Sequence, residues 1–170
     1  LCRIGLAGYF AGALLMPYDS FLASAKELRY DLEILQNRFG VSFEQVCHRL
    51  TTLQRSGSRG VPFFFIRVDN AGNISKRLSG AGFHFARFGG TCPRWVIHDA
   101  FGAPGTVHTQ QARMPDGSAF LTIARTVDPV LAGHRGRQPR LAVAVGCDIG
   151  QAKNLGYGEA MDLKNKQSAT

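Results

Sequence analysis

The spacing of apolar residues changes at the stretch "RSGSRG" (residues 55–60), and this change limits the folds that the chain can adopt. Before the stretch, apolar side chains recur every three or four residues, which is the period of an amphipathic helix. After it come short apolar runs of strand length, beginning with "PFFFIRVD" (62–69). A stretch rich in Gly, Ser and Arg between two such patterns is typical of a break. We therefore predict a helical domain over residues 1–56 and a second domain over residues 57–170.

Four helices are predicted in the first domain. Pro17 ends the first helix, because proline has no amide hydrogen to continue it. Gly40 ends the third, since glycine adopts the left-handed conformation without a Cβ clash. Ser42 caps the fourth helix, and Gln45 completes the pattern of a capping box. The second and third helices are predicted at about residues 20–28 and 30–39.

Five strands are predicted in the second domain. "PDGS", with Asp116 and Gly117, is a strong hairpin signal between the third and fourth strands. An antiparallel five-stranded sheet with flanking helices fits the order of elements, and gives an α+β fold comparable with GAF and PAS modules. The predicted strands are residues 62–69, 74–79, 109–114, 119–127 and 140–149, with a short helix at 93–101 and a last helix from about Gln151.

The stretch "RFGVSFEQVCHRLTTLQ" (38–54) has the turn and second helix of a helix-turn-helix. A reading helix presents its N-terminal residues to base edges, and here these are Phe43, Glu44 and Gln45. Phe43 belongs to the apolar stripe, and Glu44 would face phosphates as a like charge. We therefore interpret the pair as structural; DNA binding through His48 and Arg49 is the alternative.

The net charge of +8 is concentrated in the middle of the chain, because residues 57–140 hold eleven basic and four acidic residues. A basic surface attracts nucleic acid, phosphorylated ligands or acidic proteins, although solvated basic surfaces are equally common. No apolar run is long enough to span a membrane. The four cysteines lie far apart without a CxxC pair, which favours a reduced, cytoplasmic protein. The chain also lacks an initiator Met, so we expect a longer protein.

The stretch "GFHFARFGGTCPRW" (82–95) carries the residues best suited to chemistry. Cys92 precedes a predicted helix and has Arg87 and Arg94 nearby, which would lower the pKa of its thiol and favour the thiolate. This environment suits a metal-cluster ligand or a redox sensor, whereas a buried, inert thiol is the alternative. A nucleophilic pair of Cys92 with His84 or His98 would need hydrogen-bond reach and an oxyanion site.

Basic side chains on the first two predicted strands could grip an anion. Lys76 and Arg77 lie on the second strand and Arg67 on the first, and Arg87 follows in the next segment. Because side chains alternate along a strand, one of Lys76 and Arg77 must point away from any common groove. The rest could bind phosphate through charge-assisted hydrogen bonds, or form a solvated face of the sheet.

Five stretches resemble one known family. "GYFAGALLMPYDSFL" (8–22) looks like the end of an ImmA/IrrE-type peptidase domain, and residues 38–54 resemble the helix pair that follows it. Residues 59–101 resemble the C-terminal domain of short-chain fatty-acyl-type bacterial transcriptional regulators, relatives of the regulators of propionate, glyoxylate-cycle and acetate metabolism. "MPDGSAFLTIARTV" (114–127) and "GCDIGQAKNLGYGEAMDL" (146–163) continue the resemblance, which covers nearly the whole chain.

The resemblance implies the regulatory, effector-sensing region of a transcription factor whose DNA-binding helix-turn-helix lies outside this chain. Members respond to acyl-coenzyme A, and some carry an iron–sulfur cluster. The cysteine of "GGTC", here Cys92, would be a cluster ligand only together with a C-terminal Cys-rich tail that is absent here, so no cofactor is expected in this chain. The His-Glu-x-x-His motif of the peptidase is also absent. We predict that Tyr9, Lys76, Arg77, His84, Arg87 and Trp95 contact an acyl-coenzyme A effector.

The predicted function is therefore regulatory, and the chain is predicted not to be an enzyme. An effector would shift the population between two arrangements of the regulator, and a homodimer would match the two-fold symmetry of common operators. The predicted location is cytoplasmic, with no membrane partner. The alternative function is a cysteine-dependent acyl-thioester hydrolase that uses Cys92.

Overall fold

A computed structural model describes residues 2–80, 96–114, 117–127 and 140–158 of the chain, with side chains described from residue 6 onward. The order of helices and strands confirms the predicted α+β fold. The elements are α1 (Cys2–Leu15), α2 (Tyr18–Glu27), α3 (Leu32–Phe39), α4 (Phe43–Thr51), β1 (Phe64–Asp69), β2 (Ile74–Ser79), α5 (Val96–Asp99), β3 (His108–Arg113), β4 (Ala119–Val127) and β5 (Leu141–Asp148), followed by a 3-10 helix (Ile149–Asn154).

The predicted turn and cap between α3 and α4 are confirmed. Gly40 ends α3 with a φ of 61°, in the left-handed region that glycine tolerates. Ser42 Oγ then accepts a hydrogen bond from the Gln45 amide at 3.2 Å. In return, Gln45 Oε1 accepts from the Ser42 amide at 2.7 Å. The two bonds form a complete capping box, which fixes where α4 begins.

The start of α3 differs from the prediction, because the helix begins at Leu32 and not at Tyr30. Arg29 and Tyr30 have φ values of 50° and 60°, so both residues lie in the left-handed region that non-glycine residues rarely adopt. Tyr30 is buried, and its hydroxyl accepts a hydrogen bond from the Val61 amide at 3.1 Å. Asp31 then caps the helix. Tertiary contacts therefore hold a turn that local propensity does not favour.

The five strands form one antiparallel sheet in the order β2-β1-β5-β4-β3. The last strand, β5, lies between β1 and β4, and its residues from Ala142 to Cys147 are buried. The β1–β2 turn is confirmed at the predicted "NAGN". There, the side-chain amide of Asn73 donates to the Asp69 carboxylate at 2.9 Å, and this bond lowers the pKa of Asp69.

Helix α5 packs against one face of the sheet. The Val96 amide at the start of this helix donates to Gln110 Oε1 on β3 at 3.0 Å. The helix ends at Asp99, two residues before its predicted end, and its predicted first residues, 93–95, lie outside the described part of the chain. The buried residues of this cluster are Ile66, Val68, Val96, Ile97, Ala100, Ala124, Ala142 and Ala144.

The chain divides into two compact units, which are a helical unit up to Pro62 joined by the segment from Gly150, and a sheet unit from Phe63 to Ile149. The later segment joins the helices because the Tyr157 hydroxyl accepts a hydrogen bond from the Leu32 amide at 3.1 Å. Where the sequence predicted an α-helix from about Gln151, the structure has the 3-10 helix first, and α-helical residues follow only at 156–158, where this described range ends. The predicted domains, 1–56 and 57–170, refer to segments of the sequence and not to compact units of the structure. They therefore stay a prediction.

Candidate functional site

The predicted effector-binding residues fall into three groups. Tyr9 lies on α1 of the helical unit, and its side chain is 47% exposed. Lys76 and Arg77 lie on β2 of the sheet unit. The other predicted residues lie outside the described part of the chain, so their roles stay predictions. These residues are His84, Arg87, Trp95 and the predicted cluster ligand Cys92.

The structure separates the two adjacent basic residues of β2. Lys76 pairs with Arg67 across the β1–β2 ladder, whereas Arg77 pairs with Ile66. Directly paired residues of an antiparallel ladder share one face, and consecutive residues alternate between faces. Lys76 is half-buried and Arg77 is exposed, on opposite faces of the sheet. A single ligand lying on one face can therefore contact only one of the two.

A row of three basic residues crosses the sheet on the face of Lys76. Arg67 on β1 is the partner of Lys76 on β2 and also of Val143 on β5. Val143 is in turn the partner of Arg125 on β4. We call Lys76, Arg67 and Arg125 the basic row. All three are half-buried.

The register fixes the spacing of the basic row. Since neighbouring strands lie about 5 Å apart, Lys76 and Arg67 are roughly 5 Å apart at the backbone, and Arg67 and Arg125 roughly 10 Å. The Arg67 Nε donates to Ser75 Oγ at 2.9 Å, beside the register shift between Arg67 and Val68. Like charges placed side by side repel one another. An anion with several negative groups along one line would match this spacing.

Sequence reasoning did not select Arg125 as a site residue. Alternation along β4 shows which face Arg125 occupies, but the sequence does not show which strand lies next to β4. Arg125 joins the basic row only because β5 is inserted between β1 and β4. The sequence therefore predicts the face on which Arg125 lies, whereas only the structure shows that Arg125 is aligned with Arg67.

The side chain of Arg49 on α4 is used inside the helical unit. It is 4% exposed, and its Nε donates to the Met16 carbonyl at the end of α1 at 2.9 Å. Its Nη1 donates to Thr52 Oγ1 at 3.1 Å. Its guanidinium carbon lies 5.7 Å from the ring centroid of Tyr9 and 5.9 Å from that of Tyr18. Arg49 therefore joins α1 to α4.

The arrangement of α4 argues against DNA reading by this helix. Phe43 at its N-terminus is buried, and the Gln45 side chain is bonded within the capping box. Arg49 cannot reach a base edge or a phosphate without losing its contacts to Met16 and Thr52. Because phosphate contacts supply much of the binding energy for DNA, a helix with its arginine buried is a poor reader. The structural interpretation of residues 38–54 is favoured.

The described thiols do not fit the role of reactive groups or cluster ligands. Cys47 and Cys147 are both buried and form no disulfide bond. Burial, with a contribution from the Asp148 carboxylate, raises the pKa of Cys147 to about 12, so its thiol stays protonated at neutral pH. Within the described ranges, no three His, Cys, Asp or Glu side chains come together to hold a metal. A reactive or metal-binding thiol would therefore have to be one whose side chain the structure does not describe, Cys2 or Cys92.

Comparisons with known proteins identify the class of the chain. Residues 52–170 match a family model described as the short-chain fatty acyl coenzyme A regulator, C-terminal, and residues 5–51 match the IrrE N-terminal-like domain. The chain thus belongs to a class in which an α+β C-terminal domain follows an IrrE-like segment. It is a member of the short-chain fatty acyl coenzyme A regulator family.

Several curated relatives are similar to nearly the whole chain. The chain is 52% identical over 163 residues to the HTH-type transcriptional regulator PrpR of Mycobacterium tuberculosis, covering 96% of this chain and 34% of that protein. It is 51% identical over 164 residues to the propionyl-CoA carboxylase regulator of Cereibacter sphaeroides, covering 96% and 36%. It is 48% identical to the regulator RamB of Mycobacterium tuberculosis, covering 96% and 34%. The chain thus spans about a third of the length of these relatives.

A solved structure has the same fold. The chain matches a Mycobacterium tuberculosis transcriptional regulator with a TM-score of 0.87 and 53% sequence identity, over 92% of this chain and 48% of that chain. In the part of the chain that the structure describes, no helix is both long enough and apolar enough to cross a bilayer.

Proposed function

We propose that this chain is the effector-sensing region of a bacterial transcriptional regulator of short-chain acyl-coenzyme A metabolism. The observation that carries the proposal is the family match over residues 52–170, whose description names a short-chain fatty acyl coenzyme A regulator. The names of the relatives support it, since two are HTH-type transcriptional regulators and one is a propionyl-CoA carboxylase regulator. DNA binding is assigned to a helix-turn-helix outside this chain, and the working form is a homodimer.

The basic row is the part of the sheet unit best suited to an acyl-coenzyme A effector. Coenzyme A carries a pyrophosphate and a ribose phosphate, so it presents several negative groups along its length. Lys76, Arg67 and Arg125 offer cationic donors at intervals of one and two strands on one sheet face. Charge-assisted hydrogen bonds to phosphate are among the stronger polar contacts in proteins.

Sensing follows from differential binding. An acyl-coenzyme A that binds one arrangement of the regulator more tightly raises the population of that arrangement. Effector affinity and DNA affinity are then linked reciprocally, because both depend on the same equilibrium. The chain itself catalyses no reaction in this proposal. No relative described above is named as a hydrolase, and nothing else favours the thioester hydrolase alternative.

The test uses adjacent residues on opposite faces of one strand. Lys76→Glu should weaken the binding of an acyl-coenzyme A to this chain by about tenfold or more, the scale of one hydrogen bond to a charged group. Arg77→Glu changes the net charge equally on the other face, and should change the dissociation constant by less than about twofold. Isothermal titration calorimetry measures both.

Equal losses from the two substitutions would mean that net charge, and not the basic row, governs binding. Unchanged affinity in Lys76→Glu would remove the basic row from the site while leaving the sensing function in place. If none of acetyl-, propionyl- and butyryl-coenzyme A binds the wild-type chain, the sensing proposal for this chain is wrong.

A further inference from the structure

Helix α1 exposes an unusual amount of apolar surface. Five of the six large hydrophobic side chains that are exposed in the described part of the chain lie on this helix, and they are between 47% and 67% exposed. The sequence between Arg3 and Asp19 has no charged residue. The five side chains are Leu6, Tyr9, Phe10, Leu14 and Leu15.

Three of these side chains form a continuous stripe. Leu6, Phe10 and Leu14 are spaced four residues apart, so they lie along one side of α1 over two turns. We call them the apolar stripe. Gly8 and Gly12 lie on a different side of the helix from the stripe, and a Cβ at either would meet no described atom within 4 Å.

The C-terminal part of α1 contacts the rest of the helical unit. Met16, just after the helix, is buried, and its carbonyl accepts the hydrogen bond from Arg49. The Tyr9 ring faces the same guanidinium. The helix is therefore fixed at its C-terminal end, while the apolar stripe is presented outward as a stable surface.

Leaving the apolar stripe in water is costly. Burying one such side chain contributes about 1.5–3 kcal/mol, so three of them can stabilise a docked segment substantially. A contiguous apolar surface of this kind marks an interaction site more often than isolated hydrophobic residues do.

The sequence match indicates the partner. Helix α1 falls almost wholly in residues 5–51, the segment that matches the IrrE N-terminal-like domain. The relatives are about three times as long as the part that this chain matches. We propose that the apolar stripe is the docking face for other helices of an IrrE-like domain in the full-length regulator. This inference does not depend on acyl-coenzyme A binding.

The experiment compares one substitution in two polypeptides, the 170-residue chain and the full-length regulator that contains it. If the stripe is buried in the full-length protein, Phe10→Asp should lower its melting temperature by about 5 °C or more. In the 170-residue chain, the same substitution should leave the melting temperature within about 2 °C, because surface changes have small effects. Ile34→Asp on α3 is the matched control, since Ile34 is 48% exposed in the same unit, and should have a small effect in both.

A second measurement needs no substitution. Hydrogen exchange of the α1 amides should be at least about tenfold slower in the full-length regulator than in the dilute 170-residue chain. Equal exchange in the two proteins, or an equal effect of Phe10→Asp on both, would overturn the proposal. Protection of α1 in the 170-residue chain that rises with its concentration would also overturn it, because a second copy would then be the partner.

Discussion

The two units of the molecule use their basic side chains differently. In the helical unit, Arg49 is buried and holds two helices together through the Met16 carbonyl and two tyrosine rings. In the sheet unit, the three residues of the basic row remain half-buried on one face. The difference shows that the number of basic residues in a segment does not reveal how deeply their side chains are buried. The register of the surrounding elements decides it.

The largest expected effect tests the packing role in the helical unit. Arg49→Ala removes two hydrogen bonds and two ring contacts from a buried site, and should lower the free energy of unfolding by about 2–4 kcal/mol. Arg55→Ala is the control, because Arg55 is exposed and contacts the Tyr18 ring and Asp19 at the surface; it should cost about 1 kcal/mol or less. Urea denaturation measures both. Similar losses of unfolding free energy in the two variants would show that the buried Arg49 stabilises the chain no more than the exposed Arg55 does.

A pair of glycines contrasts a buried position in the sheet unit with an exposed position in the helical unit. A Cβ at Gly146 on β5 would clash with Phe64 Cζ and approach the Leu121 carbonyl oxygen to 2.6 Å, so Gly146→Ala should destabilise the chain by about 2 kcal/mol. Gly8→Ala on α1 meets open space, and should stabilise this chain by about 0.5–1 kcal/mol through helix propensity. Thermal denaturation of both variants checks the opposite signs. If Gly146→Ala left the melting temperature unchanged, the Phe64 ring would be able to move away from the new methyl group at little cost.

The smallest expected effect is on the stability of the fold at alkaline pH. The pKa of Cys147 is raised from 9.0 to about 12, so the unfolded chain loses this proton first. The contribution to stability is therefore complete below pH 9 and is lost as the pH rises toward 12. Cys147→Ala should make the fall in stability over this range less steep than in the wild type. Denaturation at several pH values measures the slope, and equal slopes would show that Cys147 does not contribute.

Much of the fold follows from local signals. The capping box at Ser42, the left-handed Gly40 and the hairpin turn after Asp69 are set by short-range chemistry, so the sequence predicts them at the right residues. The left-handed conformations of Arg29 and Tyr30 are not predictable in this way, because contacts from residues far along the chain stabilise them.

The candidate site was only partly predictable for a similar reason. Alternation alone separates Lys76 from Arg77, and the structure places them on opposite faces of the sheet. The alignment of Lys76 with Arg67 and Arg125 depends on strand order and register, which are long-range properties. The residues of the 82–95 stretch remain predictions, since they lie outside the described part of the chain.

The most direct test of the sensing function is equilibrium dialysis of this chain against propionyl-coenzyme A labelled in its acyl group, followed by chemical analysis of the label. The chain should retain the label in proportion to its concentration, and the bound label should be recovered as intact thioester. Failure to retain any label would contradict the sensing function. Release of labelled propionate at a rate that depends on Cys92, judged with Cys92→Ser, would instead identify the chain as a hydrolase.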